Sequence, residues 1–351
     1  MKILVTGGAG FIGSNFIQLM IKKYNNSIVN IDKLTYAGNI NSLKEIENHP
    51  NYKFYHLDIE DSDKIKQVFN SESPDIIVNL AAESHVDRSI DTPIDFVQTN
   101  VIGTVKLLQS SLNYYNNLDG NKKPKFKFLH ISTDEVYGSL PYDGKFLETT
   151  PYNPSSPYSA SKASSDHFVR AWNKTYCLPT LITNCSNNYG PYQFPEKLIP
   201  VIIQKCLLEE DLPVYGKGEN VRDWLFVEDH CEAIYNVLIN GKIGETYNIG
   251  GNSERKNIDV VNEICKIMDQ LRPRKNKLNY NKLIKYVENR PGHDFRYAVD
   301  ISKIIKNLDW KPNISFEEGI RKTIIWYLEN QNWINSIQDG SYKITRHGLV
   351  Y

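Results

Sequence analysis

Short apolar runs recur through the first half of the chain: KILVTG, SIVNID, KFYHLDI, DIIVNLAA, FKFLHIS and LPTLITNC. Between them apolar residues fall at helical spacing, first in FIGSNFIQLMIKKY, Phe11 to Tyr24. Strands alternating with amphipathic helices predict an α/β architecture, a doubly wound parallel sheet covered on both faces. After about Gly190 the pattern loosens. Prolines and aromatics crowd YGPYQFPEKLIP, helical patterns follow in EKLIPVIIQKCLLEE and VEDHCEAIYNVLIN, and one more short strand is expected at ETYNIG. The last hundred residues predict a smaller, helix-rich C-terminal lobe that includes one long amphipathic helix, SFEEGIRKTIIWYLENQNWI. The expected organisation is a domain over 1–190, to which 228–250 return, and a second lobe over 191–227 and 251–351.

A length of 351 residues allows one large domain or two and leaves no doubt that a core can be buried. Lysines and arginines number 41 and acids 41, so bulk charge points to neither nucleic acid nor a membrane surface. The five cysteines, Cys177, Cys185, Cys206, Cys231 and Cys265, show no CxxC or metal-ligand spacing, and they are expected to be reduced thiols with no metal site. The N-terminus starts a strand at once, and no apolar run approaches the roughly 18 residues of a membrane span, so a cytoplasmic protein is expected. The Asn- and Lys-rich pieces NYYNNLDGNKK and RPRKNKLNYNK are expected to be solvated surface.

GGAGFIG, Gly7 to Gly13, follows the first strand and opens the first helix, the context that a dinucleotide-binding loop of the Rossmann type requires. Glycines let the backbone approach a pyrophosphate, whose charge the helix N-terminus favours. Nineteen residues past Gly13 the second strand ends in Asp32, where a carboxylate would bond a ribose 2′-hydroxyl and repel a 2′-phosphate. That favours NAD over NADP, although Lys33 beside it could accept a phosphate. Asp58 after the third strand and Leu80, Ala81 and Ala82 after the fourth lie at the strand edge where such sheets bind ligands; Asp58 could equally be a helix cap.

In SPYSASKASSDH, Tyr158 and Lys162 are four apart on an expected helix and share a face. A tyrosine, whose pKa is ordinarily about 10, is a poor base, and a nearby ammonium is expected to favour its phenolate. The pair can exchange a proton with a sugar hydroxyl while hydride moves to a nicotinamide. Thr133 stands twenty-five residues upstream of the tyrosine and is followed by two acids, Asp134 and Glu135. Successive side chains of a strand point to opposite faces, so the two could not reach one substrate from an extended chain. The strand is therefore expected to stop by about Ser132, with the TDE segment turning.

The motifs TDEVYG, YSASK, SNNYGPYQFPEKLIP, VRDWLFVEDH and NRPGHDFRYAVD resemble those of the dTDP-glucose 4,6-dehydratases, within the extended short-chain dehydrogenase/reductase superfamily. The resemblance runs from Met1 to about Trp333. It implies a tightly held NAD, oxidation at C4 of dTDP-glucose, loss of water across C5 and C6, and return of hydride to C6, giving a 4-keto-6-deoxysugar for deoxysugar (rhamnose-type) biosynthesis. By the motif match Glu135 would be the base at C5 and Asp134 the acid at C6, with Thr133 bonding the C4 oxygen beside Tyr158. Phe11, Ile12, Thr35, Ile59 and Thr99 join Gly7, Gly10, Gly13, Asp32, Lys33, Asp58, Leu80, Ala81, Ala82, Tyr158 and Lys162 as expected NAD contacts. Expected substrate contacts are Glu83, Ser84, Thr133, Asn187, Lys197, Leu198, Pro213, Tyr215, Arg222, Asn257, Arg290 and His293. Val86 is expected close by, and the two arginines serve as phosphate ligands. The resemblance also implies a homodimer built from two long helices of the first domain, TPIDFVQTNVIGTVKLLQ and PYSASKASSDHFVRAW. One departure is visible: Thr183 and Asn184 precede CSNNYG, where the family usually has an arginine.

Other readings stay open at this level. A UDP-sugar 4,6-dehydratase would carry the same motifs, since a thymine methyl leaves no mark in them. A sugar-nucleotide epimerase or decarboxylase would keep the glycines, Tyr158 and Lys162 and need no acid pair. A non-catalytic NAD-binding protein on this fold often lacks the tyrosine or lysine, both retained here.

Overall fold

The computed structural model describes residues 1–289 and 291–338. Its strands are β1 (Lys2–Thr6), β2 (Ser27–Asp32), β3 (Tyr52–His56), β4 (Ile76–Asn79), β5 (Lys127–Thr133), β6 (Thr180–Cys185), β7 (Asn187–Tyr189), β8 (Leu212–Tyr215), β9 (Val221–Phe226), β10 (Thr246–Ile249), β11 (Glu254–Lys256) and β12 (Ile284–Val287). Seven of them, the seven apolar runs, form one sheet in the order β10-β6-β5-β4-β1-β2-β3. Every pairing in it is parallel. Strand order reverses between β1 and β4, and the crevice beyond such a reversal is where doubly wound sheets bind their ligands.

The runs are nearly continuous in apolar residues because both faces of the sheet are covered. Ile3 and Val5 of β1 pack into one buried cluster with Phe16, Ile17 and Val237, from helices Phe11–Lys22 and Val227–Asn240. Leu4, between them, packs into another with Ile65, Leu108 and Val169, from helices Ser62–Glu72, Thr104–Asn116 and Pro157–Tyr176. A third core lies among helices Leu198–Leu208, Asn257–Leu271 and Phe316–Glu329, around Ile203, Val261, Ile264 and Ile320.

Beyond Gly190 the structure carries more strand than the sequence pattern suggested. A three-stranded sheet, β11-β9-β7, and a two-stranded one, β12-β8, accompany the helices. These strands run three to six residues and several carry charges or a proline, as in ERK and LPVY, so they lack the long apolar run that marks a central strand. The long helix expected near the end is two: Phe316–Glu329, then Gln331–Gln338 after Asn330 leaves helical geometry. The helix expected at 92–109 likewise contains a π-helical stretch, Val97–Gly103. Among the described residues no helix is long and apolar enough to cross a membrane.

Candidate active site

The C-terminal ends of β1, β2, β4, β5 and β6 surround a cavity of about 390 Å³. At the β1 end Gly7 has φ +70°, and a Cβ there would lie 2.6 Å from the Ala81 nitrogen. A Cβ on Gly13 would lie 2.3 Å from the Gly7 carbonyl oxygen, so this glycine lets helix Phe11–Lys22 start directly against the loop. That helix has no side-chain cap at Gly10, which leaves its first N–H groups for an anion. At the β2 end the Asp32 carboxylate is fixed by two main-chain donors, Ala9 N to Oδ2 and Leu34 N to Oδ1, both at 2.8 Å. Lys33 Nζ pairs with Asp58 Oδ2 at 2.6 Å, so its charge is directed at a carboxylate. A bare glycine cradle, an open helix N-terminus and a fixed acid fit NAD. Every residue expected to contact the cofactor lines this cavity.

At the reacting end β5 runs to Thr133, one residue beyond the expected stop, and a 3-10 turn, Asp134–Tyr137, follows. Thr133 makes the turn possible: its Oγ1 accepts from Glu135 N at 3.3 Å and donates to Asp134 Oδ1 at 3.4 Å. Because the backbone turns, Asp134 and Glu135 both line the cavity. Asp134 is 1% exposed, and its Oδ2 has no hydrogen-bond partner. Burial pushes its carboxyl well above the usual range, and the charges of Glu135 and Asp223 add to the rise; Arg222 and the Thr133 hydroxyl oppose it.

Tyr158 and Lys162 are brought in by helix Pro157–Tyr176, which Ser156 starts with a reciprocal capping box to Ser159. Both are buried and line the cavity. The expected lowering of the tyrosine by the ammonium is not the dominant influence. Burial first, then the Glu135 carboxylate, hold the phenol well above its ordinary range, and Lys162 Nζ donates to the Ile131 carbonyl at 2.8 Å. Burial also pulls Lys162 down, while Asp166 acts to raise it.

Of the expected substrate contacts, Glu83, Ser84, Thr133, Asn187, Lys197, Leu198, Arg222 and Asn257 line the cavity. Arg222 does so from β9, with guanidinium bonds to the Val221, Asp294 and Phe295 carbonyls and its centre 4.3 Å from the Tyr297 ring. Pro213, Tyr215, His293 and Val86 do not line it. Pro213 and Tyr215 belong to β8, Tyr215 bonds Asp87 Oδ2 at 3.2 Å, and its ring meets that of His293 edge-on at 6.1 Å. Val86 opens the short helix Val86–Asp91, which carries the Asp87 that Tyr215 bonds. Arg290 lies outside the described residues.

The cavity also contains residues that sequence reasoning passed over, among them Asn188, Gln193, Trp224 and Glu196. Glu196 is the most unusual. Its carboxyl is buried between Tyr36, His85 and Arg88, at 3.3, 3.8 and 3.8 Å, and burial pushes its pKa up to about 7. Its place beside Lys197 inside FPEKLIP was the available signal.

The chain matches the family described as GDP-mannose 4,6 dehydratase over residues 4–323. It is 57% identical to a dTDP-glucose 4,6-dehydratase of Escherichia coli, with 100% of both chains covered. Among solved structures, the dTDP-glucose 4,6-dehydratase of Bacillus anthracis in complex with NAD is 47% identical, with a TM-score of 0.86 over 96% of this chain and 99% of that one. The enzyme of Streptomyces venezuelae, with NAD and TYD bound, is 42% identical, with a TM-score of 0.87 over 96% and 100%. Carrying its adjacent acids and YxxxK helix at the ends of a doubly wound sheet, the chain belongs to the dTDP-glucose 4,6-dehydratase family.

Proposed function

We propose that this chain is a hydro-lyase that converts dTDP-glucose to dTDP-4-keto-6-deoxyglucose, with NAD bound along the glycine loop. The observation that carries the reading is the turn after Thr133, which aims two carboxyl groups into the cavity that Tyr158 and Lys162 also line. NAD, when bound, accepts a hydride and later returns it, and its cationic ring favours the phenolate. Tyr158 takes the C4 hydroxyl proton, with Thr133 bonding the same oxygen. Glu135 removes the C5 proton that the C4 ketone has made acidic. Asp134 gives the departing C6 hydroxyl its proton, for which it must be protonated at working pH; its burial and its like-charged neighbours supply that condition. Phosphate binding falls to Arg222 and Arg290.

On the same reading, residues 1–190 with 228–250 serve the cofactor, and 191–227 with 251–351 serve the sugar nucleotide. A homodimer in the cytoplasm goes with it. Support for the dimer comes from exposed apolar side chains on the two helical stretches singled out in the sequence: Ile94 and Val97 at 74% and 46% exposure on one, Phe168 at 39% on the other. A second copy of the same face would cover them.

The test is to incubate purified protein with dTDP-glucose and, separately, with UDP-glucose. A 4-keto-6-deoxy product from dTDP-glucose is expected, with little from UDP-glucose. No product from dTDP-glucose, in protein shown to be folded and NAD-loaded, would reject the reading.

A further inference from the structure

Behind the cavity floor, between β5 and helix Pro157–Tyr176, lies a buried polar cluster to which none of these roles appeals. At its centre is Asp166, fully buried and one helical turn beyond Lys162. Its Oδ2 accepts from the Ser132 hydroxyl at 2.9 Å and the Tyr152 hydroxyl at 2.8 Å. Its Oδ1 has no hydrogen bond and faces His130 Nε2 at 3.5 Å. That same imidazole nitrogen lies 3.4 Å from Lys162 Nζ.

His130 is not the charged member of this group. Burial and the Lys162 charge hold its pKa well below the ordinary histidine value. Asn79 Oδ1 accepts from Thr6 Oγ1 at 2.6 Å, so its amide nitrogen is the atom that meets His130 Nδ1 at 3.1 Å. That assigns the ring proton to Nε2. Burial raises the Asp166 carboxyl, and the charges of Lys162 and Arg170 and the hydroxyls of Tyr152 and Ser132 oppose that rise and favour its anion; Arg170 reaches the Tyr152 hydroxyl with Nη2 at 2.6 Å. A buried ammonium without a counter-charge tends to give up its proton.

A second arm leads to the reacting turn. The Tyr152 hydroxyl that donates to Asp166 accepts from Asn184 Nδ2 at 3.2 Å, and the same nitrogen donates to the Thr133 carbonyl at 3.3 Å. Ser132, the other donor to Asp166, is the residue before Thr133. Asn184, the visible departure from the family pattern, is the joint of this arm.

We propose that Asp166 is a positioning residue for both halves of the reaction: it is the counter-charge that keeps Lys162 an ammonium, and through Ser132, Tyr152 and Asn184 it holds the turn that carries Asp134 and Glu135. The inference rests on the role proposed above for the turn and on Lys162 as the ammonium that favours the Tyr158 phenolate.

The titratable groups packed around the pair are His130 on β5, Cys185 on β6, Tyr152 ahead of the helix, and Tyr158 and Arg170 on it. Cys185 is pushed up to about 12, the two tyrosines lie above their ordinary range, and His130 stays neutral. Burial holds Lys162 below its ordinary value, so it is the member of the group whose charge changes as pH rises on the alkaline side. The Asp166 charge raises Lys162, so removing it lets the ammonium lose its proton at lower pH.

The experiment measures kcat and KM against pH for the NAD-loaded enzyme and its variants. For Asp166→Asn the alkaline limb of kcat should move down by about one pH unit, and kcat at pH 8 should fall about tenfold with KM within about twofold. For Tyr152→Phe, which keeps the carboxylate, exchange of the C5 hydrogen with solvent should slow about tenfold while the alkaline limb stays in place. A folded Asp166→Asn whose profile superposes on the parent's overturns the proposal, as does Tyr152→Phe with parental exchange. Should Asp166→Asn not fold, the exchange measurement on Tyr152→Phe decides alone. Lys162→Met separates the two failures. Parental C4 oxidation in that variant refutes the role of Lys162 itself, whereas slow oxidation beside a normal Asp166→Asn refutes only the inference about Asp166.

Discussion

The loop after β1 and the turn after β5 are strand ends of one parallel sheet and line one cavity, but they are built from different materials. The first offers main-chain groups, a helix N-terminus and the absence of side chains at Gly7 and Gly13. The second offers two adjacent carboxyl groups, of which Asp134 is buried and has no hydrogen-bond partner for Oδ2, while Glu135 is half-buried. Shape decides the first site and electrostatics the second. The cofactor end should therefore be sensitive to added volume and indifferent to modest changes of pH. The reacting end should tolerate isosteric changes structurally while losing its chemistry.

The largest expected effect breaks the cofactor end by volume. In Gly7→Ala the new methyl would sit within 2.7 Å of main-chain atoms of Leu80 and Ala81, none of which is a flexible side chain, and φ is +70°. We expect a loss of at least ~2 kcal/mol of stability and protein purified with less than about a tenth of the parental NAD, read by melting and by absorbance. Parental NAD content would remove steric shape as the deciding property. Next comes the reacting end. Glu135→Gln keeps volume and removes a base, so C5 hydrogen exchange should fall about 1000-fold while a single turnover of C4 oxidation and the melting temperature remain. Undiminished exchange would move the base to another residue, with Glu196 as the first to examine.

The same difference explains what could be read from the chain beforehand. The inner strands of the main sheet were legible because burial on both faces leaves an apolar run, while the edge strand β3, with Lys53 and His56 exposed, was legible from its aromatics and its place in the alternation. The cofactor contacts were legible because GGAGFIG and Asp32 are local in sequence, their spacing fixed by one strand, one turn and one helix. The turn at Asp134 was legible by elimination, since two acids in one strand could not share a face, and only its start was misplaced by one residue. Glu196, Asp223 and Asp166 were not legible, because what distinguishes them is burial against partners 14 to 160 residues away. Pro213, Tyr215 and His293 were assigned through the family resemblance, and they are not among the residues that line the cavity. The small sheets escaped because strands of three or four residues with charges carry no period long enough to count.

The smallest expected effect sharpens the comparison most, because it has the opposite sign from Gly7→Ala. Asp134 is buried, and in the folded state its carboxyl holds its proton well above the usual range, whereas in the unfolded chain it ionises near about 3.9. Between those two values the unfolded state releases a proton that the folded state keeps, so rising pH through this window lowers stability; above the folded value the loss is complete. A side-chain amide at this position has no such proton. Asp134→Asn is therefore expected to melt about 2 °C or more above the parent at pH 8, with the difference vanishing near pH 4, while dehydration slows about 100-fold for want of an acid at C6. Melting curves at the two pH values check the sign. A variant that melts lower than the parent at pH 8 would mean that the Asp134 carboxylate is held by charge or hydrogen bonding after all, and the acid role, which needs its proton, would fall with it.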